Sequence, residues 1–146
     1  MPITILAKPD RLSKEEKWFT TRHVRQSLAL TQLDVWNLDR VFSMIAAHHE
    51  RLDGSGYPNR IAGTDIPLYA RIAGIVDTFD ALTLNRRYAS ARSGYSALRL
   101  LRTLRRTKFD AALVDEFIDS VGTYPTGTNV LLDDGSMGIV FSQNNG

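Results

Sequence analysis

Two adjacent histidines, His48 and His49, are followed by Glu50 and then by Asp53, Gly54, Ser55, Gly56, Tyr57 and Pro58. Val41, Phe42, Ile45, Ala46 and Ala47 precede them as an apolar, helix-like run. The pair therefore stands where a rigid helix gives way to a glycine-rich turn. Neutral imidazoles are ligands for Zn, Fe, Mn or Ni. Glycines such as Gly54 and Gly56 allow backbone amides to approach a ligand closely. A metal site that handles phosphate is the chemistry these residue types suggest. The chain has three histidines, and the third, His23, falls on another expected helix. Neighbouring side chains on a helix diverge by about 100°, so His48 and His49 share one region only if the helix end faces a pocket.

Asp77 is the second residue of interest. It interrupts the apolar stretch Ile72–Val76 and precedes Thr78 and Phe79. A carboxylate inside a buried apolar helix is costly unless it is paired or metal-bound. Metal ligation is one reading; capping a loop, or pairing with Arg71 or Arg86, is the other. Several familiar sites are excluded. Position 53 is Asp, so His49-Glu50 does not begin an HExxH helix, and there is no P-loop, Gly-x-Gly-x-x-Gly or serine nucleophile elbow. Cysteine is absent, which removes disulfides and thiolate metal sites.

The elements that must position these residues are mostly helical. Ser13 and Glu16 form a capping-box pattern that predicts a helix to about Leu30. A second helix is expected from about Asp34 to Glu50, and residues 51–66, with Gly54, Gly56, Pro58 and Gly63, read as a loop. Pro67 suits the first turn of a third helix, Ser93 or Ser96 starts a fourth that ends near Thr107, and Asp110 caps a fifth that stops at Gly122. Beyond it, Val130–Leu132 and Ile139–Phe141 flank Asp133-Asp134-Gly135-Ser136, a β-hairpin pattern that must lean on the helices. The expected architecture is mainly α: a bundle of about five helices over residues 1–122, with a short C-terminal β-hairpin over 123–146.

The 146 residues suffice for one domain with a small appendage. No apolar run approaches the roughly 20 residues of a membrane helix, and the N-terminus lacks a signal-peptide pattern, so the cytoplasm is the expected location. The formal net charge is only +2, which gives no general argument for nucleic acid. Eight basic residues and no acidic one lie between Arg86 and Lys108. Arg99, Arg102 and Arg106 share helical spacing opposite Leu98, Leu101 and Leu104, as on a solvated helix face.

Taken together, the residues strongly resemble the HD-GYP family of bacterial cyclic di-GMP phosphodiesterases. The resemblance runs from Lys8-Pro9 with Leu12 and Glu16, through Arg22-His23 and the His48–Pro58 run, to Ile66-Pro67, Ala70–Ile72, Val76–Thr83 and Phe109-Asp110, and into the Tyr124-Pro125 segment. It implies an HD-domain-like helical bundle holding divalent metal, with iron or manganese the expected ions. By that resemblance His23, His48 and His49 would be ligands of one metal and Asp77 of its neighbour. Tyr57 and Arg86 would contact the nucleotide phosphates, while Gly54 and Gly56 shape the loop. No catalytic side chain is assigned, because the chemistry implied is metal-assisted, in-line attack of water on phosphorus. After Arg86-x-Tyr88 the family commonly has a basic residue, but Ala89 and Ser90 stand here.

The His-Asp dyad that names the family belongs just upstream of Ile3 and is not in this sequence. The chain is therefore expected to be the C-terminal portion of such an enzyme, with little activity alone and room for one ion only. The alternative is an inactive signalling module that binds metal, a cyclic dinucleotide or a protein such as a diguanylate cyclase domain. Apolar bundle faces left uncovered would favour a homo-oligomer. No membrane or nucleic-acid partner is expected.

Overall fold

The computed structural model describes residues 5, 8, 13–31, 39–84 and 91–143. Six α-helices appear among them: α1 (Lys14–Thr21), α2 (His23–Thr31), α3 (Asp39–Ala47), α4 (Leu68–Thr83), α5 (Gly94–Leu104) and α6 (Ala111–Val121), followed by strands β1 (Asn129–Leu131) and β2 (Met137–Ile139). α1 and α2 together are the first helix expected from the sequence, broken at Arg22. There the backbone tightens, with the Arg22 amide donating to the Phe19 carbonyl, before the Gln26 amide bonds Arg22 and starts α2. The expected start of the second helix, about Asp34, lies outside the described residues; its described part, α3, runs over Asp39–Ala47 and stops short of the expected Glu50.

Local sequence chemistry sets the other ends. Ser13 and Glu16 cap α1 reciprocally. Ser93 caps α5 by accepting from the Ser96 amide, and the Asp110 carboxylate caps α6 by accepting from Ala112 and Leu113. Gly122 closes α6 at φ +81, a left-handed conformation that costs glycine little. α5 stops at Leu104 instead of Thr107. Arg105 is extended, Arg106 turns to φ +70, and the chain doubles back so that Arg105 bridges Phe109. Arg106 is consequently off the helix, while Arg99 and Arg102 do form a solvated face opposite buried Leu98 and Leu101.

α4 is the central element. One face meets α3, and α5 and α6 pack on it elsewhere. The larger core joins Ile75 of α4 to Leu98, Leu101, Phe109, Val114 and Ile118. Each such buried aliphatic side chain contributes about 1.5–3 kcal/mol. A smaller cluster of Ala47, Ile66 and Ala70, flanked by Leu52 and Ile61, fixes the end of α3 and the loop after it to the start of α4. α2 packs on α3, anchored by buried Val24, and that contact carries His23 toward His48 and His49. The antiparallel hairpin pairs Asn129 with Ile139 and Leu131 with Met137. It touches the bundle through Tyr124, stacked on Tyr95 at 5.2 Å. Among the described residues no helix is long and apolar enough to cross a membrane.

Candidate metal centre

The end of α3 is clamped before any ligand is considered. Arg51 turns back beneath it: its guanidinium donates to the carbonyls of His48 (3.0 Å) and Glu50 (2.8 Å) and to Thr78 Oγ1 on α4 (3.3 Å). The same group lies 4.8 Å over the Phe109 ring. Gly74 allows α4 to press against this turn, since a Cβ there would lie 2.6 Å from the His48 carbonyl oxygen. Buried Glu50 reaches forward, and its Oε1 accepts from the amides of Asn59 (2.7 Å) and Arg60 (3.1 Å). The start and the end of the glycine loop are thereby tied to the residues that follow the histidines.

On this platform His23, His48 and His49 converge. One nitrogen from each lies within 4.8 Å of the others. His23 Nδ1 donates to the Thr20 carbonyl, which the break at Arg22 presents to it. His48 Nδ1 lies 3.1 Å from the carbonyls of Met44 and Ile45. A carbonyl can only accept, so both rings carry their proton on Nδ1 and leave the Nε2 lone pair free. His49 Nε2 stands 3.2 Å from His23 Nε2. Two nitrogens bound to one ion at ligand distances would lie roughly 2.9–3.4 Å apart. Burial, followed by the nearby His48, His23 and Arg51, pushes the His49 imidazole down to about 3, so it is neutral at neutral pH. Three imidazole nitrogens gathered this closely can hold a metal ion, and the donor set fits the group the sequence suggests.

Asp77 is beside this cluster but is not one of its converging members. Its Oδ2 lies 3.6 Å from His49 Nδ1, on the ring edge away from His23. That is within ion-pair range and too long for a hydrogen bond. The carboxylate is 45% exposed, because α4 is not buried all round: Ile72 and Val76 are also open to solvent. The cost that singled Asp77 out in the sequence is therefore smaller than expected. The alternative pairing with Arg71 is not found, since Arg71 binds Asp110 at 2.7 Å.

Tyr57 stacks on His49, with ring centroids 4.5 Å apart and planes at 28°. Its amide donates to the His49 carbonyl. Burial first, then Asp77, raises the phenol to about 12, so it remains a hydrogen-bond donor at neutral pH. Gly54 adopts φ +72. Gly56 packs flat on the 49–51 backbone: a Cβ would collide with Glu50 Cα and sit 2.6 Å from the His49 carbonyl oxygen. Arg86 lies outside the described residues. Arg51, Gly74 and the carboxylate of Glu50 had no role in the sequence reading. Only Gly74 gave a signal, as a glycine inside a helix, where it costs about 1 kcal/mol against alanine without a packing reason.

Comparison with known proteins agrees with this geometry. An HD domain family model matches residues 1–113. A cyclic di-GMP phosphodiesterase of Pseudomonas aeruginosa is 35% identical over 98% of this chain and 34% of its own length. A cyclic di-GMP phosphodiesterase response regulator of Xanthomonas campestris is 39% identical over 81% of this chain and 32% of its own. A 3′3′-cGAMP-specific phosphodiesterase of Vibrio cholerae is 36% identical over 82% of this chain and 23% of its own. The chain thus spans about a third or less of the length of these relatives. With the family match covering most of its length and the histidines gathered at one helix end, this chain belongs to the HD-domain family, in keeping with its HD-GYP resemblance.

Proposed function

We propose that this chain is part of a metal-dependent phosphodiesterase that hydrolyses cyclic di-GMP or a related cyclic dinucleotide in bacterial signalling. Residues 1–122 would be its partial HD-GYP domain and 123–146 an appendage. The observation that carries the reading is the convergence of His23, His48 and His49 beside Tyr57. The three imidazoles would hold one divalent ion, iron or manganese, and Asp77 would serve a neighbouring one. When bound, such ions activate water and offset charge on the phosphoryl oxygens.

The chain's own residues supply orientation. The backbone carbonyls of Thr20, Met44 and Ile45 accept from Nδ1 of His23 and His48, which turns the Nε2 atoms of those two rings toward the ion. Tyr57, held against His49 and protonated, would donate to a phosphate oxygen, and Arg86 would contact the phosphates. Gly54 and Gly56 keep the loop low enough for the dinucleotide to reach the histidines.

Elemental analysis of the purified chain beside the His48→Ala/His49→Ala variant tests the reading. About one equivalent of metal in the chain and none in the variant is expected. Equal metal in both, or none in either, overturns the ligand assignment. In the full-length protein, His23→Ala should abolish cyclic di-GMP hydrolysis.

A further inference from the structure

A second feature opens beside Tyr57. A cavity of about 630 Å³ lies between α1–α2 and the glycine loop, lined by Trp18, Arg22, Arg25, Gln26, Tyr57 and Arg60 among others. This is within the size range of small-molecule sites. Among the described residues its lining holds three guanidinium groups and no carboxylate. Arg22, at the break, and Arg25 and Gln26 on the first turn of α2 line one side of the cavity, while Val24 is buried.

Elsewhere the cations near the site are engaged. Arg71 and Lys108 are paired with Asp110 and Asp53, and Arg51 is spent on carbonyls. Among the described residues no carboxylate lies in ion-pair range of Arg22, Arg25 or Arg60. Arginine remains charged at any physiological pH, and its planar fork suits phosphate oxygens. Aromatic faces accompany the charges. Trp18 is exposed, with the Arg22 guanidinium 5.2 Å from its ring, and Tyr57 joins the cavity to His49 by the stacked contact.

Concentrated positive charge, flat aromatic surfaces and continuity with the histidine cluster define a ligand with a phosphate and a base. We propose that this cavity binds one nucleotide half of the cyclic dinucleotide. Arg25 and Arg60 would grip the phosphate away from the histidines, and Trp18 would pack on a base. Its orientation relative to the reacting phosphate rests on the proposed metal centre; its affinity does not.

Cyclic di-GMP titrated into the full chain, metal-loaded and EDTA-treated, tests this by calorimetry and tryptophan fluorescence. Arg25→Gln and Arg60→Gln should each weaken binding about tenfold, and together about a hundredfold. Metal content should stay at the level of the unsubstituted chain. Binding should also weaken as salt is raised. Ligand should quench a fluorescence component that Trp18→Phe removes. If a substitution disturbs folding, seen as a lowered melting temperature, the salt and Trp18→Phe measurements still decide. No binding in either metal state, or binding untouched by the double substitution, overturns the proposal. Arginine-dependent binding by a chain that takes up no metal supports the cavity and sinks the metal reading, so the two failures are distinguishable.

Discussion

The loop at residues 51–66 and the hairpin built on β1 and β2 are both turn-rich segments, but they are held very differently. The loop has almost no regular structure, yet most of its backbone is tied to something. Leu52 donates to the Lys108 carbonyl, Gly63 to that of Leu52, Tyr57 to that of His49, and Asn59 and Arg60 to Glu50. The hairpin has regular pairing but little support. Leu131, Met137, Ile139 and Phe141 are largely exposed, and its attachments are Tyr124 on Tyr95, Pro125 against Gly94 and Gln143 against Gly122. Rigidity here follows from how many independent contacts fix a segment, and secondary structure is a poor guide to it. The segment fixed most fully is the one beside the histidines.

The largest expected effect comes from breaking the close approach at the loop. Gly56→Val should lower stability by about 3 kcal/mol, the upper end of the range for overpacking, because the obstacle is backbone that cannot rotate away. Metal uptake should fall with it, since the displaced backbone is that of His49 and Glu50. Urea unfolding with metal analysis checks this. A loss below about 1 kcal/mol would mean that the loop is not seated as described. Next in size is Glu50→Ala, which strands the amides of Asn59 and Arg60 and should cost about 2 kcal/mol. Glu50→Gln keeps an acceptor and should recover part of that loss.

A third effect sharpens the comparison through pH. The Ser55 side chain, then Lys108, then the Ser55 amide hold Asp53 down to about 2. A carboxylate depressed in the folded state stabilises above its unfolded value, about 3.9. That contribution is lost as pH falls through about 2. Stability should therefore decline on acidification below about pH 4 in the parent chain, and less steeply in Asp53→Asn. The group is exposed, so the difference will be modest. Parallel urea titrations at several pH values measure it, and equal slopes would remove Asp53 from the loop's anchorage.

The helices were legible because their ends carry local chemistry. Ser13 with Glu16, Ser93, Asp110 and Gly122 each act on amides or carbonyls within a few residues, and such signals survive in a one-dimensional reading. The break at Arg22 was not legible, because the first helix is interrupted where the Thr20 carbonyl serves His23, and the partner of that imidazole is a matter of three-dimensional placement. The histidines could be named from residue type and family resemblance. Their convergence depends on α2 lying against α3 and on Arg51 and Gly74 fixing the turn, and those contacts link residues far apart in sequence. Asp77 misled in one respect: its apolar neighbours suggested burial, but Ile72 and Val76 lie open to solvent in this structure.

The smallest effect belongs to the hairpin. Leu131→Ser and Ile139→Ser replace side chains that are 73% and 67% exposed, so little buried apolar area is lost. Each should change stability by no more than about 0.5 kcal/mol, as for ordinary surface positions, and leave metal content unaltered. Tyr124→Ala removes the stacked pair with Tyr95 and should cost about 1 kcal/mol. It should leave the histidine cluster intact, because the contacts that fix the cluster come from α2, the turn after α3, and α4. If Tyr124→Ala released metal as Gly56→Val is expected to, the hairpin and the loop would be one cooperative unit, and their contrast in anchorage would have no energetic counterpart.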